Sequence, residues 1–476
     1  MDGEAQPGLL KELQFITFTD FKQTTNAETK KIVRSHARRR AHHDTRGECI
    51  SKRGVIVLDP APLIGERSPA QQDGDPEKPP AKLPSPSRLG AGRLDPFAAH
   101  PIPMSMKIRE LVDHLRGDFC PMFRSMTRIG FFASMKDPAG FCQILSTSAS
   151  HMEQLRGTGA KSPEAIALST RALRSLNSRL TDPLASISDG VIATILAFCC
   201  HGVMFNDLQG SVLHLNGLEQ ILRLRGGLST LNPILRMVLF WTDTSIAFCQ
   251  FVPPRFPAPH NLLPRINKQL SLNASMPLME ASVAVDIVMA MNNLYCLNEL
   301  IAEKAMAGDI WRGGVFAGLH IVPVLHEFLS IPLNCPTRDP VLIRQDAYQV
   351  GAILYLGIIR RRFGMKTYIS PDGHSHVRTL KDTITSLEAS GQIFDDRTLL
   401  WLLLLGSVES IVTQDHQWFV SNLVQSIVRV GCQSWGAVLN YVREVLWIEG
   451  LAHMESESLR GEVSTELLSS YGYILT

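Results

Sequence analysis

Beyond about position 94 the apolar residues recur mostly at three- and four-residue intervals, the period of a helix with one buried face. Ser211 to Leu222 follows this spacing, with Ser211 placed to cap its start and Gly226-Gly227 to supply the left-handed turn that ends it. Asn232-Pro233 supplies a cap and a first-turn proline for the next helix, and Pro253-Pro254 stops it. Ala281 to Ala307 repeats the pattern, with Val283, Ile287, Leu294, Leu297 and Ile301 on one stripe. Further helical runs are predicted at Arg344–Arg361, Asp396–Val412, His416–Val430 and Trp435–Leu451. Strand-like alternation is nearly absent, and no fixed-period repeat is strong enough to define a solenoid. The expected fold is all-α, an irregular multi-helix body over residues 94–476.

Two apolar runs, Val191 to Phe205 and Leu399 to Leu405, fall short of the roughly 18–20 uninterrupted residues of a membrane span. His201 and Gly202 interrupt the first, and Glu409 closely follows the second. Both are expected to be buried core helices, and no membrane partner is expected. The N-terminus Met1-Asp2-Gly3-Glu4 is acidic and has no apolar core of a secretory signal.

Residues 1–93 break the helical pattern and are expected to be largely disordered. Eleven of the 28 prolines fall between Asp59 and Pro103, so a proline-rich linker is placed at 59–93. Ahead of it lies a basic segment, 28–53. Between Lys30 and Arg53 nine basic residues face two acidic ones, a local charge of +7 in a chain whose total is +2. The remainder is therefore mildly acidic, and that asymmetry says more than the total.

Thr25-Asn26-Ala27-Glu28 has the form of a capping box, and a helix from it would run through Ala41. Lys30, Arg34 and Arg38 then share one stripe, with Lys31 and Arg39 beside it. Cations arrayed on a rod can neutralise successive phosphates, with affinity that falls steeply as salt rises. The clusters Lys30-Lys31 and Arg38-Arg39-Arg40 equally suit nuclear import, and a solvated charged tail is the third reading. The candidate residues for import or phosphate contact are Lys30, Lys31, Arg34, Arg38, Arg39 and Arg40.

The chemistry-bearing patterns are weak elsewhere. Gly157-Thr158-Gly159-Ala160-Lys161-Ser162 has Ala where a phosphate loop needs Gly directly before Lys, so a surface loop is expected. Cys199-Cys200-His201 lacks ligand spacing, and His42-His43 and His374-Ser375-His376 read as solvated loop histidines. Nine scattered cysteines form no disulfide framework. No catalytic residue, metal ligand or cofactor is expected. Arg360-Arg361-Arg362 closes a helix, where cations complement the negative end of its dipole. Trp241 is expected in the core, and Asp243 is expected to find a donor.

Three blocks together resemble the core of fungal-specific transcription factor domains: His214-Leu215-Asn216-Gly217-Leu218, Leu224-Arg225-Gly226-Gly227-Leu228, and Trp241-Thr242-Asp243. The pattern is H-x-x-G, then R-G-G, then W-x-D, and its structural positions are His214, Gly217, Arg225, Gly226, Gly227, Trp241 and Asp243. The N-terminal block from Phe15 to Arg40, and Leu94-Asp95-Pro96-Phe97 with Pro101-Ile102, are similar to flanking segments of the same proteins. The resemblance implies an all-helical regulatory domain of a nuclear gene regulator, with control of a secondary-metabolite gene cluster among the family's roles. Implied partners are the transcription machinery or another regulator, DNA through the basic segment, and a small-molecule effector.

That family usually couples the domain to six cysteines binding two zinc ions. Only Cys49 precedes Cys120 here, so no CxxC pair is available and the binuclear cluster is not expected. A helical interaction scaffold or partner-dependent co-regulator without DNA contact is the alternative reading, and an enzyme with a pocket between helices is a third. Localisation in the nucleus is the expectation on which the first reading rests.

Overall fold

Paired cap and proline residues set where five of the helices start. A computed structural model of the chain describes residues 100–157, 162–264, 284–334, 337–365, 375–411, 414–449, 451 and 453–472. The basic segment, the linker and the candidate residues Lys30, Lys31, Arg34, Arg38, Arg39 and Arg40 lie outside the described residues. The described residues are helical, with no strand among them, and the all-α expectation is borne out.

The recurrent start signal is a short polar residue followed by proline: Asp137-Pro138, Ser162-Pro163, Asp182-Pro183, Asn232-Pro233 and Asp339-Pro340. In each, the side-chain oxygen accepts a backbone N–H of the first turn while proline supplies a helical φ and lacks the N–H that would be orphaned.

By Cα proximity the chain divides into two compact units. Among the described residues, the first contains 100–114 together with Asp137–Val191. Its helices are most of α1 (Met106–Arg116; α2 belongs to the second unit), then α3 (Pro138–Arg156) and α4 (Pro163–Leu180). Leu168, Ala172, Leu176 and Leu180 form the buried stripe of α4. The interior is unusually polar. Gln143, Ser146, Thr147, Ser148 and His151 of α3 are all buried. Ser146 Oγ donates to the Ala165 carbonyl (2.7 Å) and Ser148 Oγ to that of Leu111 (2.8 Å). His151 Nδ1 lies 2.8 Å from His114 Nε2, and Arg179 forks onto the carboxylate of Asp137.

The second unit contains Leu115–Lys136 and Ile192–Thr476. It holds α2 (Pro121–Arg128), most of α5 (Asp189–Phe205), α6 (Leu208–Arg225), α7 (Pro233–Gln250), α8 (Val285–Ala307), α9 (Val322–Ser330), α10 (Pro340–Arg362), α11 (Ser375–Ala389), α12 (Asp396–Glu409), α13 (His416–Val430), α14 (Trp435–Val445) and α15 (His453–Tyr471). Every residue of α10 from 345 to 360 is buried, and so is α12 from Thr398 onward. Helices apolar on all sides are enclosed by neighbours, and here α8, α9, α11, α13 and α14 turn their apolar faces into the same core. Ile287, Leu294, Leu297 and Ile301 of the predicted stripe are buried in it, and Val283 lies outside the described residues. Both apolar runs in the sequence are core helices. No helix among the described residues is long and apolar enough to cross a membrane.

Three sequence expectations need correction. His376, read as a solvated loop histidine, stands in α11 with its ring packed on Phe248 and Phe251, and burial holds it neutral. Ser211 does not cap α6. The helix starts three residues earlier, with the Asp207 carboxylate accepting from Gly210 N (2.9 Å), and Ser211 is buried inside it, its Oγ donating back to the Asp207 carbonyl. Asn206, at φ 70°, provides the left-handed step that lets α5 end and α6 begin within two residues. The arginines closing α10 are also more than complements to a helix dipole. Consecutive residues point about 100° apart, so on an enclosed helix they meet three different surroundings. Arg361 pairs with Glu409, Arg362 lies over Trp311, and Arg360 is buried.

Candidate functional site

The signature residues converge on the α6–α7 hairpin and the loop that follows it. On α6, His214 stacks on Phe198 with ring centroids 4.9 Å apart, and burial lowers its pKa to about 4, so it is a neutral packing group at physiological pH. Gly217 is buried on the same helix. His201 on α5 is likewise held neutral by burial, although Asp207 pulls against that effect on both rings.

The Arg-Gly-Gly block makes the turn between the two helices. Gly226 ends α6 at φ 100° and Gly227 follows at φ 94°, with Gly227 N donating to the Leu222 carbonyl (2.8 Å). Two successive left-handed residues are costly for any side chain larger than hydrogen, which accounts for the pair. Arg225 closes the turn from outside, its Nη2 donating to the Thr230 carbonyl at 3.0 Å. Asn232 then caps α7 through Leu235 N (3.0 Å).

Trp241 and Asp243 act on different neighbours. The Trp241 indole packs against Gly318, in the π-helical turn Ala317–Ile321 that leads into α9. A Cβ at position 318 would sit 2.4 Å from indole Cε2 and Cζ2, so only glycine admits the ring. Asp243, 2% exposed, accepts from the backbone amides of Arg255 (2.8 Å) and Phe256 (2.9 Å). Burial pushes its carboxyl up to about 6, against the pull of those two amides and of the Arg255 guanidinium.

The gripped loop is held from two more sides. Arg255 reaches back to α6, donating to Asn216 Oδ1 and lying 3.6 Å from Glu219. His326 of α9 donates from Nε2 to the Phe256 carbonyl at 2.8 Å, and its ring packs against Phe240. Sequence reasoning anticipated Trp241 in the core and a donor for Asp243. It did not anticipate Arg255, Gly318 or His326, because none of them stands near the signature in sequence.

These contacts tie the turn, the two helices and the following loop together. The thiols beside them are held protonated by burial, Cys200 pushed up to about 11 and Cys199 well above its ordinary value, and thiols are poor nucleophiles in that form. Cys200 Sγ lies 3.5 Å from Thr242 Oγ1, and Cys199 Sγ donates to the Ser211 carbonyl at 3.7 Å. No group of three or more His, Cys, Asp or Glu among the described residues could hold a metal ion.

An all-helical body whose turn, tryptophan and aspartate tie two helices to a following loop is the structural form of the signature found in the sequence. Residues 120–251 match the family model described as Fungal specific transcription factor domain. The match takes in the whole of α6, the Arg-Gly-Gly turn and the Trp-x-Asp helix, so the family resemblance carried by those residues is shown. No similarity to a curated protein or to a solved structure was found.

Proposed function

We propose that this protein is a nuclear transcription regulator in which the helical body engages the transcription machinery or another regulator and responds to a small effector. The match of residues 120–251 to the fungal-specific transcription factor domain carries this reading. The basic segment 28–53, with Lys30, Lys31, Arg34, Arg38, Arg39 and Arg40, supplies import into the nucleus or contact with DNA phosphates. The residues before Cys120 contain one cysteine, so a six-cysteine zinc cluster is not the DNA-reading device of this segment. Recruitment by a partner, or phosphate contact by the cationic segment, takes its place. Control of a secondary-metabolite gene cluster is the target class that the family resemblance suggests, and the role is regulatory rather than enzymatic.

Genome-wide chromatin occupancy of the tagged full chain, beside imaging of the same cells, tests the reading. Discrete occupancy at promoters is expected. Changing Arg38, Arg39 and Arg40 together to Ala should lower nuclear accumulation several-fold while leaving the melting temperature of the full chain unchanged. A chain that stays out of nuclei would overturn the regulator reading. Nuclear levels unaffected by the triple change would overturn the import role.

A further inference from the structure

Helix α10 ends on three arginines, of which two have conventional partners. Arg361 Nη1 donates to Glu409 Oε2 at 2.7 Å, and the Arg362 guanidinium lies 5.4 Å from the centre of the Trp311 ring. Arg360 is different. It is 2% exposed and forms no ion pair with a carboxylate among the described residues. Its Nη2 donates to Ser245 Oγ at 3.0 Å, and its Cζ sits 4.8 Å from the centre of the Phe248 ring. Nε and Nη1, which together carry three N–H groups, have no hydrogen-bond partner among the described residues.

A guanidinium stays protonated under conditions that would neutralise lysine or histidine. Burying it without a counter-charge is among the costliest arrangements a fold can hold, because lost hydration is returned by no carboxylate and, at Arg360, by one hydrogen bond to Ser245. The face of Phe248 returns part of it. Buried, unsatisfied polar groups of this kind call for a bound water, ion or ligand.

A second such group stands beside it. His376, near the start of α11, packs on the same Phe248 ring (centroids 5.0 Å apart) and on Phe251 (4.3 Å). It hydrogen-bonds the backbone of Phe248, and its Nε2 has no partner among the described residues. Ser245 is committed: it accepts from Arg360 and donates to the Trp241 carbonyl at 2.7 Å, so it positions the guanidinium. Ser245 and His376 are both partly exposed, which places the buried cation one side chain below the surface.

We propose that Arg360, positioned by Ser245 and flanked by His376, binds a small organic carboxylate. The carboxylate accepts the unpaired N–H groups of Arg360, and its hydrocarbon part lies against Phe248 and Phe251. A hydroxyl on the same ligand suits the lone pair on His376 Nε2. A single guanidinium among aromatic rings matches a monoanion with an apolar body better than a doubly charged, strongly hydrated phosphate. The inference deepens the effector-responsive reading of the helical body. Binding to the purified chain is measured without reference to chromatin, so either can fail alone.

The test is isothermal titration of the full-length chain at constant ionic strength with acetate, propanoate, 2-hydroxypropanoate, inorganic phosphate and chloride. Saturable binding is expected for at least one carboxylate, with Arg360→Met weakening it tenfold or more. Arg360→Lys, which keeps the charge and loses the planar fork, should bind several-fold more weakly and serves if the Met variant fails to fold. No saturable carboxylate binding by the wild-type chain, unchanged affinity in a folded Arg360 variant, or Arg360-dependent binding of phosphate tighter than of every carboxylate would each overturn the proposal.

Discussion

Asp243 offers a direct test of how the signature holds the fold. In the native chain its carboxyl has a pKa of about 6, against 3.8 when unperturbed, because burial penalises the charge more than two amides and Arg255 repay. Below pH 3.8 both folded and unfolded forms are protonated and carry no penalty. As pH rises the unfolded form ionises first, so stability is lost progressively up to about pH 6 and then levels off. A difference of about two pH units corresponds to roughly 3 kcal/mol. Asp243→Asn retains an oxygen for the amides of Arg255 and Phe256 and cannot ionise. The variant should therefore match wild type near pH 4 and exceed it by up to about 3 kcal/mol at pH 7. Asp243→Ala strands both buried N–H groups and should destabilise at every pH, by about 1–3 kcal/mol for each. Urea unfolding of the three chains from pH 4 to 7.5 measures these differences. A wild-type-minus-Asn difference that stays flat across the range would refute the account of Asp243 as a buried acceptor that carries its charge at a cost.

The remaining predictions concern packing and charge. Gly318→Ala drives a methyl into the Trp241 ring and should cost about 1–3 kcal/mol of unfolding free energy. Adding Trp241→Phe should recover part of that loss, a coupling read from a double-mutant cycle. Arg361→Met leaves the buried Glu409 carboxylate unpaired and should cost about 1–3 kcal/mol, mostly returned by Glu409→Gln in the same chain, as measured by urea midpoints. The triple change at Arg38, Arg39 and Arg40 and the changes at Arg360 have the expected outcomes given above.

Much of the fold was legible because helix period, caps and stops are local signals. Asn232-Pro233 and Gly226-Gly227 mark their boundaries as read. The exceptions share a cause. Ser211 is a good capping residue by type, but Asn206 and Asp207 one turn earlier supply both the left-handed step and the cap, and burial then takes Ser211 inward. At Arg360 the same local reasoning sees a cation at a helix C-terminus and cannot see that α10 is enclosed. The partners of Asp243 lie 12 and 13 residues away on an irregular loop, and Gly318 lies 77 positions beyond Trp241, so periodicity carries no trace of them.

The arrangement separates two tasks on α7. Gly226 and Gly227 form the turn that leads to it, and Asn232 caps it. Trp241 and Asp243 tie it to the approach to α9 and to the loop after Phe251. These groups are committed to caps, turns and packing, and changing them should be felt first as stability. Ser245, Phe248 and Cys249, on the following turns of the same helix, surround Arg360 instead. There the chain retains unsatisfied hydrogen-bond donors that a purely structural role would have paired or replaced with apolar groups. A helix whose last turns face a buried cation without a counter-charge is built to be completed by something else. The chemistry that completes it is negative charge on a small body.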